Sequence, residues 1–239
     1  MKQWNIDLTL SKVSVICSEK LISITSVDAS GPDRLTHVST SPRAFSMLCR
    51  LVETVVKHHR KRLDGHFHLL ITALRFLLES LLSRRPSASG YSGASAATKR
   101  EAEQYEKQAK QFSGLITLVC EPSVASVSRS ASAATSAGGS NGPNGGGGGG
   151  GVLDSEKDKA KRYAGQYMYL VLVAYVKLQL EHAMPHHVRE VLETGMYSIL
   201  NITNRDGMQI VNDSMDQGGR VIFKELYKRY KNFGKWSGV

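Results

Sequence analysis

An uncharged run from Ala164 to Val176, bounded by Arg162 and Lys177, most constrains what this chain can fold into, because it puts apolar residues on every face of a helix. A helix of that kind has to be enclosed by other elements. A bilayer crossing needs about 20 apolar residues, more than lie between Arg162 and Lys177. A single strand would be unusually long. The charged lead-in from Ser155 to Arg162, with Ser155 and Asp158 at capping-box spacing, reads instead as the exposed first turns of a helix. The expectation is one long helix running to Glu181 and covered by its neighbours.

Those neighbours also read as helices. Between Trp4 and Cys17, the residues Trp4, Ile6, Leu8 and Leu10 alternate as in a strand, whereas Ile6, Leu10, Val13 and Cys17 form a helical stripe, and the stripe is the preferred reading. Leu21 to Val27 is β-branched and short, a small strand or a loop. From Ser41 the pattern sharpens: a serine N-cap, Pro42 at the first helical position, then Phe45, Leu48, Val52, Val55 and His59, with an end near Arg62. After Asp64 and Gly65 a second stripe runs from Phe67 to Leu81, which makes Ser41 to Leu82 an antiparallel hairpin. Thr98 and Glu101 form a capping box that opens a helix through Val119, stopped by Pro122. Beyond Pro185, Val188, Leu192, Met196, Ile199 and Leu200 share one side of a further helix. Asn204 caps a short helix through Val211, and a last capping box at Ser214 and Gln217 opens a helix to about Phe233. The predicted fold is all-α, a stack of antiparallel helical hairpins of α-solenoid or HEAT-like kind, in one domain over residues 1–239.

Two segments, residues 86–97 and 123–151, are dominated by Ser, Ala and Gly and cannot offset the entropy of ordering their own backbone, so both are read as disordered insertions. The glycine run Gly145 to Gly151 lacks the preceding strand and the GK[ST] of a phosphate loop and reads as linker. Cys17, Cys49 and Cys120 are far apart, as expected of thiols in a reducing compartment. The N-terminal residues carry no apolar stretch of a secretory signal, so an intracellular location is expected.

No constellation of residues points to catalysis. The eight histidines include His58, His59, His66, His68, His182, His186 and His187, but they lack HExxH spacing, and Pro185 interrupts the helix that His182 and His186 would have to share. Glu101, Glu103 and Glu106 alternate with Lys99, Arg100 and Lys107, as on a solvated helix face. No Gly-x-Ser-x-Gly elbow occurs. The expectation is a non-enzyme with no metal and no cofactor.

The formal charge of +10 points instead to a polyanionic partner. At about 100° per residue, Arg220, Lys224, Lys228, Lys231 and Lys235 fall within an arc of roughly 80°. The opposite side of that helix carries Ile222, Phe223, Leu226, Tyr227, Tyr230, Phe233 and Trp236, and Glu225 is the one acid between Arg220 and Trp236. Such a helix can pack on a core and offer phosphates a cationic stripe. The run KHHRKR, with Lys57, Arg60, Lys61 and Arg62, is a second candidate contact, readable equally as an import signal or as a helix end favoured by the macrodipole.

The stretch Val211 to Trp236, VNDSMDQGGRVIFKELYKRYKNFGKW, resembles the end of the C-terminal domain of the nucleolar 27S pre-rRNA processing family, also called unhealthy ribosome biogenesis protein two or nucleolar preribosomal-associated protein two. HHRKRLDGHFHLLITALRFLL from His58, LVCEP from Leu118, YLVLVAYVKLQLE from Tyr169 and VREVLETGMYSILN from Val188 match that domain in order and character. The resemblance implies a helical-repeat scaffold of the nucleolus, acting in pre-60S assembly and 27S pre-rRNA maturation. It implies work with a second large scaffold protein, a DEAD-box helicase and small assembly factors, and no catalytic residues. Members are several times longer than this chain, so a fragment of a larger protein is expected. The competing expectation is a helical protein–protein adaptor in another nuclear process, without RNA contact.

Overall fold

The computed structural model describes residues 6–13, 15, 42–63, 65–83, 96–123 and 149–234, with the side chains of 96–98 and 149–155 left aside. Among them every regular element is helical, so the all-α class stands. The segment 21–27, the Ser41 cap, Asp64, Lys235, Trp236 and most of residues 86–97 and 123–151 lie outside the described residues.

Helix α1, residues 6–13, buries Ile6, Leu10 and Val13 and leaves Leu8 exposed, as the helical stripe requires and strand alternation does not. Helix α2 (Pro42–His59) continues into a 3-10 turn (Arg60–Leu63), and α3 (Phe67–Leu82) follows. Gly65 sits between them at φ 84°, a left-handed conformation that favours glycine. Its N–H donates to the Tyr163 hydroxyl at 3.0 Å, which ties this bend to the next layer. Phe67, Tyr163 and Tyr167 stack beneath it with ring centroids 5.4 to 5.6 Å apart.

Helix α4 (Ala96–Cys120) starts two residues before the expected cap, which places Thr98 inside its first turn. The most extensive helix–helix interface joins α4 to α7 (His186–Ile202). Small residues let these two approach closely: a Cβ on Gly195 would lie 3.0 Å from Ser113 Oγ and 3.1 Å from its backbone. Thr117 and Ser198 share a hydroxyl hydrogen bond of 3.2 Å across the seam. On the other side of α4, the buried Gln108 and its neighbour Gln111 donate to the Pro42 and Ser46 carbonyls, each at 3.1 Å, and so fix α2 in register.

The long helix expected over residues 155–181 is instead two helices. Helix α5 (Gly149–Gly165) begins six residues earlier than Ser155, and α6 (Tyr169–Glu181) restarts after a tight turn. Through the turn the hydrogen bonds shorten to three-residue steps, from Gln166 to Tyr163, Tyr167 to Ala164 and Leu170 to Tyr167. The break sits at Gly165, whose lack of a Cβ lets α5 end against the Ile202 carbonyl oxygen at the end of α7. Helix α6 is also less enclosed than expected. Val171, Leu172, Tyr175, Val176 and Leu178 are buried against neighbouring helices, while Leu170 and Leu180 are exposed.

Helix α8 (Arg205–Asp213) begins at the Asn204 cap, whose Oδ1 accepts from the Gly207 N–H at 2.8 Å. Helix α9 (Gln217–Phe233) is capped by Asp216, which accepts from the Gly219 N–H at 2.7 Å. This corrects the Ser214–Gln217 box: the Ser214 hydroxyl turns back and donates to the Val211 carbonyl at 2.9 Å. Among the described residues no helix is long and apolar enough to cross a membrane.

Candidate nucleic-acid interface

Helix α9 owes its orientation to three contacts. Gly219, Phe223, Leu226 and Tyr230 are buried at helical spacing and form its inner face. Gly218 lets the first turn approach α6, where an added Cβ would lie 3.2 Å from Leu180 Cδ2. The third contact is a clamp: Arg229 donates through Nε to Glu193 Oε2 at 2.9 Å and through Nη2 to Oε1 at 2.7 Å.

Glu193 is a buried carboxylate on α7, and Tyr197 completes its shell by donating to Oε2 at 3.1 Å. The hydrogen bonds it donates to Glu193 hold the Arg229 guanidinium above its ordinary range. Burial first, and the Glu193 charge second, push the Tyr197 hydroxyl up to about 12. Arg189 approaches the same carboxylate at 3.9 Å. A shallow cleft of about 260 Å³ opens here between α7 and the end of α9. Since Glu193 already receives three hydrogen bonds from within, the cluster is arranged to join helices.

With the inner face fixed, Arg220, Lys224, Lys228 and Lys231 are all exposed along one side of α9. Arg220 Nε reaches back to the Asn212 carbonyl at 3.0 Å, covering the carboxyl end of α8. Lys231 Nζ sits 5.0 Å from the Tyr227 ring centroid, a cation–π contact that steadies it at the edge of the row. Tyr227 in turn stacks between Phe223 and Tyr230. The expected apolar side is only partly covered, since Phe233 is 71% exposed; Val221, outside that side and beside the row, is 61% exposed.

The KHHRKR residues have different roles. Lys57 pairs with Glu53 one turn back. Arg60 is half-buried and donates through Nη1 to the Leu118 carbonyl at 3.1 Å and through Nη2 to Val119, which closes the carboxyl end of α4. Burial lowers its pKa. Lys61 and Arg62 are exposed. His59 is held low by burial, then by Arg62 and His58. The two basic groups are not brought together, because α2 packs on α4, α4 on α7, and α7 on α9.

Sequence reasoning missed the Glu193–Arg229 clamp. Its signal was an acid among the apolar residues of α7 and an arginine about 180° around α9 from Arg220, on the packed side. Of the histidines, His66 meets Asp7 at 3.1 Å and His186 meets Glu190 at 3.5 Å. Among the described residues no group of three or more His, Cys, Asp or Glu is placed to hold a metal ion.

Comparison with curated proteins and with solved structures finds no match. The model of the Urb2/Npa2 family matches residues 1–239. That coverage takes in all the helices that form the basic face and its supports, and the chain belongs to the Urb2/Npa2 family, a family of ribosome-biogenesis factors not known as catalytic.

Proposed function

We propose that this chain is a non-catalytic scaffold module of nucleolar pre-60S assembly, supporting 27S pre-rRNA processing by docking assembly factors and by touching pre-rRNA through α9. Its partners are a second large scaffold protein, a DEAD-box helicase and small assembly factors, and residues 1–239 act as one stack of helical hairpins carrying the two insertions. The observation that carries the RNA contact is the row Arg220, Lys224, Lys228 and Lys231, all exposed on a helix whose one acid is Glu225. Lys235 extends the row in sequence. Lys57, Lys61 and Arg62 add a second cationic group, with Arg60 holding their turn against α4.

Phosphate contacts release counterions, so such binding weakens steeply with salt and is indifferent to base sequence. The test is RNA affinity across a salt series for the native chain and for Lys224→Gln/Lys228→Gln/Lys231→Gln. The expected result is weaker binding and a log–log salt slope shallower by roughly 2–3. Val221 and Phe233, exposed beside and beyond the row, favour the second reading, a protein–protein adaptor in another nuclear process without RNA contact. That reading predicts that partners captured by the chain survive nuclease treatment and that the salt slope does not respond to the substitutions.

A further inference from the structure

The outer face of α2 carries a second cationic row that the KHHRKR motif only touches. Arg43, Met47, Arg50, Thr54 and Lys57 are all exposed and lie within roughly 80° of one another at 100° per residue. The opposite face, with Phe45, Cys49, Val52, Val55 and Val56, is buried. Arg43 to Lys57 spans about 21 Å at 1.5 Å per residue. Lys61 then continues the row into the 3-10 turn. Glu53 is the one acid on this helix, and it pairs with Lys57, so Arg43, Arg50 and Lys61 are left as charge without a carboxylate among the described residues.

A surface built to dock a folded protein has an apolar centre depleted in charge. This one inverts that pattern, with Met47 as its single large apolar residue among cations at intervals of one or two helical turns. A row of that kind matches a line of phosphates. It is also distant from α9, since α4 and α7 lie between. Three helix-to-helix steps of 8–10 Å place the two rows up to about 24–30 Å apart.

We propose that the outer face of α2 is a second, separate RNA-backbone contact, so that the domain holds two RNA segments at once. The proposal rests on the RNA reading of α9. The experiment uses the full chain with two populations of a short RNA duplex, one carrying a donor and one an acceptor fluorophore. Energy transfer at limiting protein reports two duplexes on one chain. The native chain is expected to give transfer. Arg43→Glu/Arg50→Glu/Lys61→Glu is expected to abolish transfer while keeping single-duplex binding through α9 with its salt slope unchanged. The milder Arg43→Gln/Arg50→Gln/Lys61→Gln variant, checked by its thermal midpoint, guards against loss of folding.

Transfer unchanged in these variants overturns the α2 contact. If the α9 variant then still loses binding, the reading of α9 stands without it. If neither set of substitutions moves RNA binding, the RNA reading of both faces fails. Loss of polyglutamate binding with RNA binding intact would identify the α2 face as a site for acidic protein and overturn the proposal.

Discussion

Glu193 sits on the otherwise apolar stripe of α7 between Leu192 and Met196, and an ionised carboxylate there is tolerable only because Arg229 meets both of its oxygens. Removing one partner strands the other. Tyr175 lies in the field of the same cluster, fully buried, yet its hydroxyl has no hydrogen-bond partner among the described residues. Tyr175→Phe is therefore expected to leave stability unchanged or to raise it by up to about 1 kcal/mol, whereas Tyr197→Phe, which loses a bond to Glu193, should cost about 1 kcal/mol. Urea midpoints of the two variants decide between these signs. The pH dependence follows from the same two hydroxyls. Unfolded tyrosine titrates near about 10, while Tyr197 is pushed up to about 12, and burial followed by the Glu193 charge raises Tyr175 too. The unfolded chain thus gives up its protons first as the pH rises. The contribution is whole below about pH 10 and is lost as the pH climbs towards the folded value, so thermal midpoints should fall across that window. A midpoint that stays level through the alkaline range contradicts the assignment.

At the scale of elements, glycines decide where helices meet. Gly165 ends α5 against the Ile202 carbonyl, immediately before the turn at 166–168 that leads into α6. Gly165→Ala drives a methyl group into main chain that cannot rotate away, at an expected cost of about 1–3 kcal/mol or more. Gly114 on α4 is the control: an added Cβ meets nothing within 4 Å, so Gly114→Ala should gain about 0.5–1 kcal/mol from helix propensity alone. Parallel denaturation of both variants tests the pair. The contrast also explains what the sequence could tell. Phe67 to Leu81 and Val188 to Leu200 were legible because a stripe repeats within its own segment. The break after Gly165 was not, since the Ile202 carbonyl that it packs against lies on another helix. Asp216 displaced Ser214 as a cap for a related reason: the better acceptor stands next to the first turn, and Ser214 already serves α8. Among the cations, the row on α9 could be read from spacing alone. The commitments of Arg60 to α4 and Arg229 to α7 depend on where other helices pass.

For the whole molecule, a formal charge of +10 is a cost to the folded state as well as an attraction for polyanions. Arg220, Lys224 and Lys228 stand four residues apart, with Lys231 three further on, so the row contains three like-charged neighbour pairs. Each pair opposes the helix by about 0.2–0.5 kcal/mol. Lys224→Gln/Lys228→Gln removes all three pairs while leaving the Arg220 contact to α8 and the Lys231 contact to Tyr227 in place. The folded state should then gain roughly 0.5–1.5 kcal/mol at low ionic strength. That gain should shrink as added salt brings the screening length to about 10 Å or less. For the proposed RNA face, the same two substitutions should weaken binding and make its salt slope shallower by about 2. Opposite signs in the two measurements, more stable alone and weaker on RNA, mark residues placed for a partner and not for the fold. Thermal melts and RNA titrations on one preparation read both. A variant that loses stability instead identifies the row as structural and removes the argument for its role in binding.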